Sequence, residues 1–123
     1  MAKPPVIAVV DDDVSVCKAL RRLLIASGLD TTTFLSGQAF LNSLATRPPD
    51  CVVLDFHMPE LTGLDVLNAL QRAGSRLPVI VITGRHDPGS EALCQAAGAV
   101  CYLSKPIGDE VLLGAIADAV RGR

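Results

Sequence analysis

The 123-residue sequence is poor in aromatic side chains, with no tryptophan, one tyrosine and three phenylalanines. Half of its residues are nevertheless hydrophobic and 20% are charged, a composition that excludes an intrinsically disordered chain. The core must therefore consist mainly of valine, leucine, isoleucine and alanine. A chain of this length buries roughly two-thirds of the surface that it exposes when unfolded, and we predict a single domain spanning residues 1–123.

Basic clusters, paired cysteine motifs and long hydrophobic runs are missing as well. The net charge is −2 and no basic cluster is evident, so the composition does not indicate nucleic-acid binding. Four widely spaced cysteines, without a CxxC pair or a zinc-ligand spacing, indicate buried reduced thiols. The apolar run at residues 6–10 is too short for a signal peptide or a membrane span. We therefore expect a cytoplasmic protein that makes no contact with a membrane.

Five short apolar segments rich in β-branched residues alternate with segments of helical periodicity. Strands that are hydrophobic on both faces are typical of a parallel sheet covered by helices on both sides. Pro88 and Gly89 indicate a short or late-starting fourth helix. We predict a (βα)5 doubly wound α/β fold with strands at Val6–Val10, Thr31–Leu35, Cys51–Leu54, Val79–Ile82 and Ala99–Leu103, and with its last three helices at Leu64–Ala73, Ser90–Ala97 and Asp109–Val120.

Polar residues follow four of the five predicted strands. In sheets of this kind, ligands bind beyond the carboxyl ends of the strands, where the winding direction changes. The residues at these ends are Asp11, Asp12 and Asp13 after the first strand, Asp55 and His57 after the third, Thr83, Gly84 and Arg85 after the fourth, and Ser104, Lys105 and Pro106 after the fifth. We expect Asp13 to cap the first helix, because an acid is favoured there, and we leave it out of the site.

The converging carboxylates favour a hard divalent cation, because such an ion relieves their mutual repulsion. Mg²⁺ prefers oxygen ligands and one or two carboxylates, and Mn²⁺ is a substitute with similar preferences. Asp12 and Asp55 are natural direct ligands, and Asp11 either binds the ion or holds one of its waters. The backbone carbonyl of His57 is a further candidate ligand.

Asp55 has two interpretations, either a residue that merely ends its strand or a nucleophile at the mouth of a pocket. An aspartate can accept a phosphoryl group as an acyl phosphate, and phosphoryl transfer needs mainly positioning and charge stabilisation. Lys105 and Thr83 would supply a cation and a donor for the phosphoryl oxygens. The surroundings of Asp55 favour the nucleophile.

The motifs at the strand ends resemble a known family. VVDDD, LDFHMPELTG, ITG and KP follow the first, third, fourth and fifth strands in that order. Together they resemble a bacterial two-component response-regulator receiver domain over nearly the whole chain. VLDFHMPELTGLDVL and PVIVITGRHD are most similar to receivers of the nitrogen-fixation-regulator type, which usually precede a helix-turn-helix output domain. The resemblance leaves open a stand-alone receiver or the N-terminal half of a transcriptional regulator.

The resemblance implies a flavodoxin-like strand order of 2-1-3-4-5 and a phosphorylation switch without turnover of an external substrate. The phosphodonor would be a sensor histidine kinase or a histidine phosphotransfer protein, and phosphorylation would change partner affinity or homodimerisation. The implied residues are Asp55 as phosphoacceptor, Asp11, Asp12, Asp55 and the His57 carbonyl as Mg²⁺ ligands, Thr83 as switch hydroxyl, Tyr102 as switch aromatic, Lys105 as cation, and Pro106 in a cis peptide bond.

His57 and Arg85 occupy matching positions, two residues after Asp55 and Thr83 respectively. We expect their side chains to flank the phosphoryl group and to set its lifetime. The small Gly84 would leave room for a phosphohistidine donor. A zinc site is the alternative for His57, but no second histidine or cysteine shares its loop.

Two alternative functions remain at the level of the sequence. A Mg²⁺-dependent phosphohydrolase with an aspartyl nucleophile commonly has a second aspartate two residues later, where this chain has His57. A degenerate receiver that acts only as an interaction module would lack part of the site, whereas the acidic pair, Thr83 and Lys105 are all present. A flavin-binding protein of the same architecture is disfavoured, because an acidic loop after the first strand repels phosphate.

Overall fold

All five predicted strands form one parallel sheet in the computed structural model, which describes residues 3–85 and 88–122. The order of the strands is β2-β1-β3-β4-β5, so the predicted doubly wound fold and its flavodoxin-like order are confirmed. Each neighbouring pair is parallel and in continuous register. The strands are β1 (Val6–Val10), β2 (Asp30–Phe34), β3 (Cys51–Asp55), β4 (Val79–Thr83) and β5 (Cys101–Ser104).

Five helices cover the two faces of this sheet. Residues of α1 and α5 pack on one face, and residues of α2, α3 and α4 pack on the other. Among the residues described, no helix is long and apolar enough to cross a membrane. The helices are α1 (Val14–Ala26), α2 (Gly37–Ser43), α3 (Gly63–Arg72), α4 (Pro88–Ala96) and α5 (Asp109–Arg121).

The central strands β3 and β4 are buried at every residue. In β3, Val52 and Leu54 pack with α2, α3 and α4, whereas Cys51 and Val53 pack with α1 and α5. Successive side chains of a strand point to opposite faces, so both sets meet apolar neighbours. This double burial explains why the strands appear in the sequence as continuous apolar runs.

Local signals in the sequence set most ends of the helices. The side chain of Asp13 accepts hydrogen bonds from the amides of Ser15 and Val16, and so caps α1 as expected. Thr62 and Asp65 form a capping box at the start of α3. Gly28 follows α1 with φ of 86°, a left-handed conformation that glycine adopts without a Cβ clash.

The fourth helix begins two residues earlier than predicted, at Pro88 instead of Ser90. Proline is favoured at the first position of a helix, because the amide that it lacks has no partner within the helix there. The expectation of a late-starting fourth helix was therefore wrong. The fifth strand begins later than predicted, at Cys101, because the amide of Ala99 still bonds to Cys94 in the turn that ends α4.

Gly63 lies where α3 begins against the end of β3. A Cβ at this position would be 2.7 Å from the carbonyl oxygen of Asp55 and 2.8 Å from Cα of Phe56, and both are backbone atoms that cannot move aside alone. The amide of Gly63 also donates to the carbonyl of Phe56 at 2.9 Å. Glycine is therefore what lets the loop after Asp55 close tightly.

We predict that Gly63→Ala lowers the free energy of unfolding by about 1–3 kcal/mol, because overpacking forces the backbone to shift. Gly114→Ala is the matched control, since this glycine lies inside α5 with nothing within 4 Å of the added Cβ. The control should gain about 0.5–1 kcal/mol. Urea denaturation measures both, and equal stability of the two variants would contradict the close approach at Gly63.

Candidate functional site

Three carboxylates meet at the carboxyl edge of the sheet. β1 and β3 are neighbours, so Asp11 and Asp12, just after β1, lie beside Asp55 at the end of β3. One carboxylate oxygen of each residue lies within 4.8 Å of the others. Asp11 is 1% exposed and Asp55 is 5% exposed, whereas Asp12 is exposed to solvent. The structure thus brings together the three acids that the sequence proposed as metal ligands.

Lys105 is the cation closest to this cluster. Its Nζ lies 3.5 Å from Oδ2 of Asp11 and 3.7 Å from Oδ1 of Asp55. The amide of Lys105 donates to the carbonyl of Thr83 at 2.7 Å, and the Lys105–Pro106 peptide bond is cis. Both ion pairs are longer than a good hydrogen bond. The ammonium therefore partly neutralises the charge of both carboxylates without forming a close hydrogen bond to either.

Asp11 has one satisfied oxygen and one unsatisfied oxygen. Its Oδ1 accepts a hydrogen bond from the amide of Asp13 at 2.9 Å. Its Oδ2 is buried and has no hydrogen-bond partner within the described part of the chain. A buried carboxylate oxygen without a donor is costly, and a bound cation relieves that cost. The three oxygen donors and this unsatisfied atom fit a hard divalent ion.

The pKa of Asp55 is raised from 3.8 to about 6, and the largest cause is burial. The charge of Asp11 contributes to this rise, and the Lys105 ammonium opposes it. Removal from water disfavours the charged carboxylate, and a second negative charge nearby adds to this penalty. Asp55 is thus an anion that the protein alone stabilises poorly near neutral pH.

The Thr83 hydroxyl is engaged by the loop that follows β4. Thr83 is fully buried, and its Oγ1 donates to the carbonyl of Arg85 at 2.9 Å and accepts from the Arg85 amide at 3.2 Å. Tyr102 pairs with Val81 in the register of β4 and β5, and its ring packs on the face covered by α2, α3 and α4. The hydroxyl oxygen of Tyr102 is shielded from solvent.

His57, Gly84 and Arg85 line an open cleft of about 480 Å³ together with the acids and Lys105. All three are exposed, and the ring of His57 contacts Phe56 edge-on, with 4.8 Å between the centroids. A Cβ on Gly84 would be 3.9 Å from the Lys105 side chain, an ordinary contact. His86, the second histidine of the chain, lies outside the described residues, and the acidic triad has no histidine among its members.

Two contacts that support the site were not predicted from the sequence. The thiol of Cys17 in α1 lies 3.2 Å from the carbonyl of Asp11 and donates to it. The amide of Asp11 donates to the carbonyl of Phe34 at the end of β2. Both hold the backbone at Asp11 in place. An apolar pattern around Cys17 indicates only burial, so no sequence signal pointed to either contact.

Comparison with known proteins identifies the family. Residues 7–117 match the response regulator receiver domain, and the chain belongs to that family. The receiver domain is a signalling domain of two-component systems and a phosphorylation-dependent switch. The family match therefore does not favour the alternative function, that of a phosphohydrolase.

Two relatives and one solved structure illustrate the match. The chain is 40% identical over 116 residues to the response regulator protein TmoT of Ectopseudomonas mendocina, covering 94% of this chain and 53% of that protein. It is 37% identical over 114 residues to Nodulation protein W of Bradyrhizobium diazoefficiens, covering 93% and 50%. The crystal structure of FixJ-N superposes with a TM-score of 0.91 at 31% identity, covering 100% of this chain and 98% of that one.

The likeness to FixJ-N supports the receiver type that the motifs indicated. The chain spans about half the length of the curated relatives it matches.

We predict that Asp55→Asn stabilises the metal-free protein at pH 7.5 by about 2–3 kcal/mol, following the roughly two-unit rise in the pKa of Asp55. The folded state holds this proton more tightly than the unfolded state. Wild-type stability therefore falls as the pH rises from about 4 to about 6, and it stays lower above that range.

Urea denaturation in EDTA at pH 4 and pH 7.5 measures the effect. The gain should be present at pH 7.5 and nearly absent at pH 4, where Asp55 is largely protonated in the folded protein. Asp30→Asn is the control, because this aspartate is exposed at the start of β2. A gain of the same size at both pH values would contradict the raised pKa.

Proposed function

We propose that Asp55 accepts a phosphoryl group from the phosphohistidine of a sensor histidine kinase or a histidine phosphotransfer protein. The observation that carries this proposal is the position of Asp55, a nearly buried carboxylate at the end of a central strand, between Asp11 and Lys105. One side of this position opens into the cleft that His57 and Arg85 line. A donor can therefore approach from solvent while the protein holds the acceptor oxygen in place.

Asp11, Asp12, Asp55 and the backbone carbonyl of His57 would hold Mg²⁺, or Mn²⁺ as a substitute. The cation would neutralise the crowded carboxylates and the incoming phosphoryl oxygens. Oδ2 of Asp11 supports this assignment, because it is buried without a hydrogen-bond donor and its one ion pair, to Nζ of Lys105, is long at 3.5 Å.

In the transfer step, a carboxylate oxygen of Asp55 attacks phosphorus and the bond from phosphorus to the histidine nitrogen breaks. The products are an acyl phosphate and a free imidazole on the donor. Lys105 already lies within 3.7 Å of Asp55, so its ammonium is positioned to bind a phosphoryl oxygen. The domain accelerates its own phosphorylation and dephosphorylation and releases no other product.

The switch depends on a competition between the phosphoryl group and the carbonyl of Arg85 for the hydroxyl of Thr83. To donate to the phosphoryl group, Thr83 must give up its hydrogen bond to the carbonyl of Arg85. The loop after β4 would then rearrange, and Tyr102 would change its packing beside β4. Phosphorylation would thus shift the population of the domain from the unrearranged to the rearranged state. The size of this shift is limited by the difference between the contacts that the phosphoryl group makes in the two states.

Phosphorylation would thereby alter the affinity of the domain for a partner or for a second copy of the chain. We place this function in the cytoplasm, and we assign this domain no contact with a membrane or with nucleic acid. All four cysteines are in the reduced form, as a reducing compartment would keep them. The longer relatives in the family support a receiver that regulates another domain, and docking of the receiver alone is the other arrangement.

We predict a single phosphoryl adduct on the intact protein after incubation with acetyl phosphate and Mg²⁺, measured by mass spectrometry. The adduct should be absent in EDTA and absent in Asp55→Asn, since the first removes the cation and the second removes the nucleophile. Asp30→Asn is the matched control and should be phosphorylated like the wild type. An adduct of equal yield in Asp55→Asn would overturn the assignment of the acceptor.

We also predict that His57→Ala and Arg85→Ala each shorten the half-life of the phosphorylated protein severalfold. The two side chains line the cleft beside Asp55, so their loss admits water to the acyl phosphate. Loss of the adduct over time measures the rate, and Arg76→Ala is the control because Arg76 is exposed and lies outside this cleft. Unchanged decay in both variants would contradict the flanking role.

A further inference from the structure

A groove of about 710 Å³ lies along the free edge of the sheet at β2, and we name it the β2 groove. Strand β2 pairs with β1 and is the last strand on this side. The lining comes from both faces of the sheet, because Arg21 and Ile25 belong to α1 whereas Ser43 and Arg47 belong to α2 and the loop after it. The groove therefore extends around the edge strand instead of lying against one face.

The backbone of β2 offers hydrogen-bonding groups to this groove. The amide of Asp30 donates to a carbonyl just before β1, and the carbonyl of Phe34 accepts from an amide just after β1. Alternate residues of a parallel strand bond to the same neighbour, so Asp30, Thr32 and Phe34 face β1. Thr31 and Thr33 consequently direct their amides and carbonyls toward the free edge.

This edge has few of the features that normally prevent a strand from adding to a sheet, and its one charged residue is the exposed Asp30 at its amino end. The five residues of β2 contain no proline and no lysine, and their register with β1 is unbroken by a bulge. Three of the five are threonines, which suit an extended strand. The edge is therefore competent to pair with another extended chain.

Basic side chains flank the edge on both faces. Lys18, Arg21 and Arg22 lie on the exposed side of α1, and Arg47 lies on the opposite side of β2. Within residues 3–85 and 88–122, none of the four forms an ion pair with a carboxylate. Arg21 and Arg47 line the β2 groove itself, and Lys18 and Arg22 lie beside Arg21 on α1, in a chain whose net charge is −2.

We propose that the β2 groove docks an extended acidic segment of a partner protein, which adds to the sheet as a sixth strand. The segment would pair with the outward backbone groups of Thr31 and Thr33. Its side chains would alternate between the two faces, so acidic residues would meet Arg21 on one face and Arg47 on the other.

A second copy of this chain is a poor occupant of the groove. Pairing two β2 edges would bring the same basic residues of each copy together, and like charges across an interface oppose association. The groove runs along the whole of β2, from Asp30 to Phe34, and none of its lining residues also lines the acidic cleft. Docking would therefore leave Asp55 accessible to its phosphodonor.

The test uses three fluorescent seven-residue peptides and the intact chain. The first has pairs of glutamates separated by pairs of valines, so that both faces of the extended peptide carry acids, the second replaces each glutamate by lysine, and the third keeps the acidic sequence but is N-methylated at every amide. Fluorescence anisotropy measures binding up to about 1 mM protein. We expect only the first peptide to bind with measurable affinity, and more weakly as salt is raised.

Variants of the chain locate the contact. The double variant with Arg21→Glu and Arg47→Glu should bind the acidic peptide about 10-fold more weakly or worse. Arg76→Glu is the control, because this exposed arginine lies outside the β2 groove, and its affinity should stay within about twofold of the wild type. Circular dichroism establishes that both variants fold, and hydrogen exchange should show protection of the Thr31 and Thr33 amides on binding.

Four outcomes would overturn the proposal. They are no binding of the acidic peptide, equal binding of the N-methylated peptide, unchanged affinity of the double variant, and a dimer of the protein alone that Arg21→Glu abolishes. The third would place the contact elsewhere, and the fourth would assign the edge to a second copy. Loss of peptide binding in the double variant while Asp55 is still phosphorylated would support a surface that is separate from the switch.

Discussion

The structure depends on the confinement of three carboxylates beside one ammonium at the carboxyl edge of the sheet. Asp11 and Asp55 are almost fully buried, and Lys105 approaches both without forming a close hydrogen bond to either. Burial and the neighbouring charge of Asp11 together raise the pKa of Asp55, and Oδ2 of Asp11 has no hydrogen-bond donor in the described residues. The site thus lacks groups that a bound cation and a phosphoryl group would supply, and the free energy of unfolding of the domain without them is lower as a result.

The parallel sheet makes this confinement rigid. Strands β1 and β3 are buried between two layers of helices and deliver their carboxylates from a backbone that cannot yield easily. The close approach at Gly63 fixes the loop after Asp55, and the Cys17 thiol and the Phe34 carbonyl hold the backbone at Asp11. The apolar core therefore acts as the positioning device for a polar site that lies just beyond it.

Different parts of the sheet serve different tasks. The acidic cleft lies at the carboxyl ends of β1 and β3, and Thr83 connects it to the loop that leads into α4. The β2 groove runs along the free edge of β2 and shares no lining residue with the acidic cleft. This separation allows one domain to receive a phosphoryl group at one edge while it contacts a partner at another.

The sequence alone determined the order of strands and helices and most of the site, because apolar strands that end in polar residues can meet only at the carboxyl edge of a parallel sheet. It therefore identified Asp11, Asp12, Asp55, Thr83 and Lys105 together. It did not show the start of α4 at Pro88 or the hydrogen bond from the Thr83 hydroxyl to the carbonyl of Arg85. It also did not show that Arg21 and Arg47 lie on the two sides of β2. These features arise from contacts between residues of distant segments or from backbone geometry in a loop, and only the folded chain decides them.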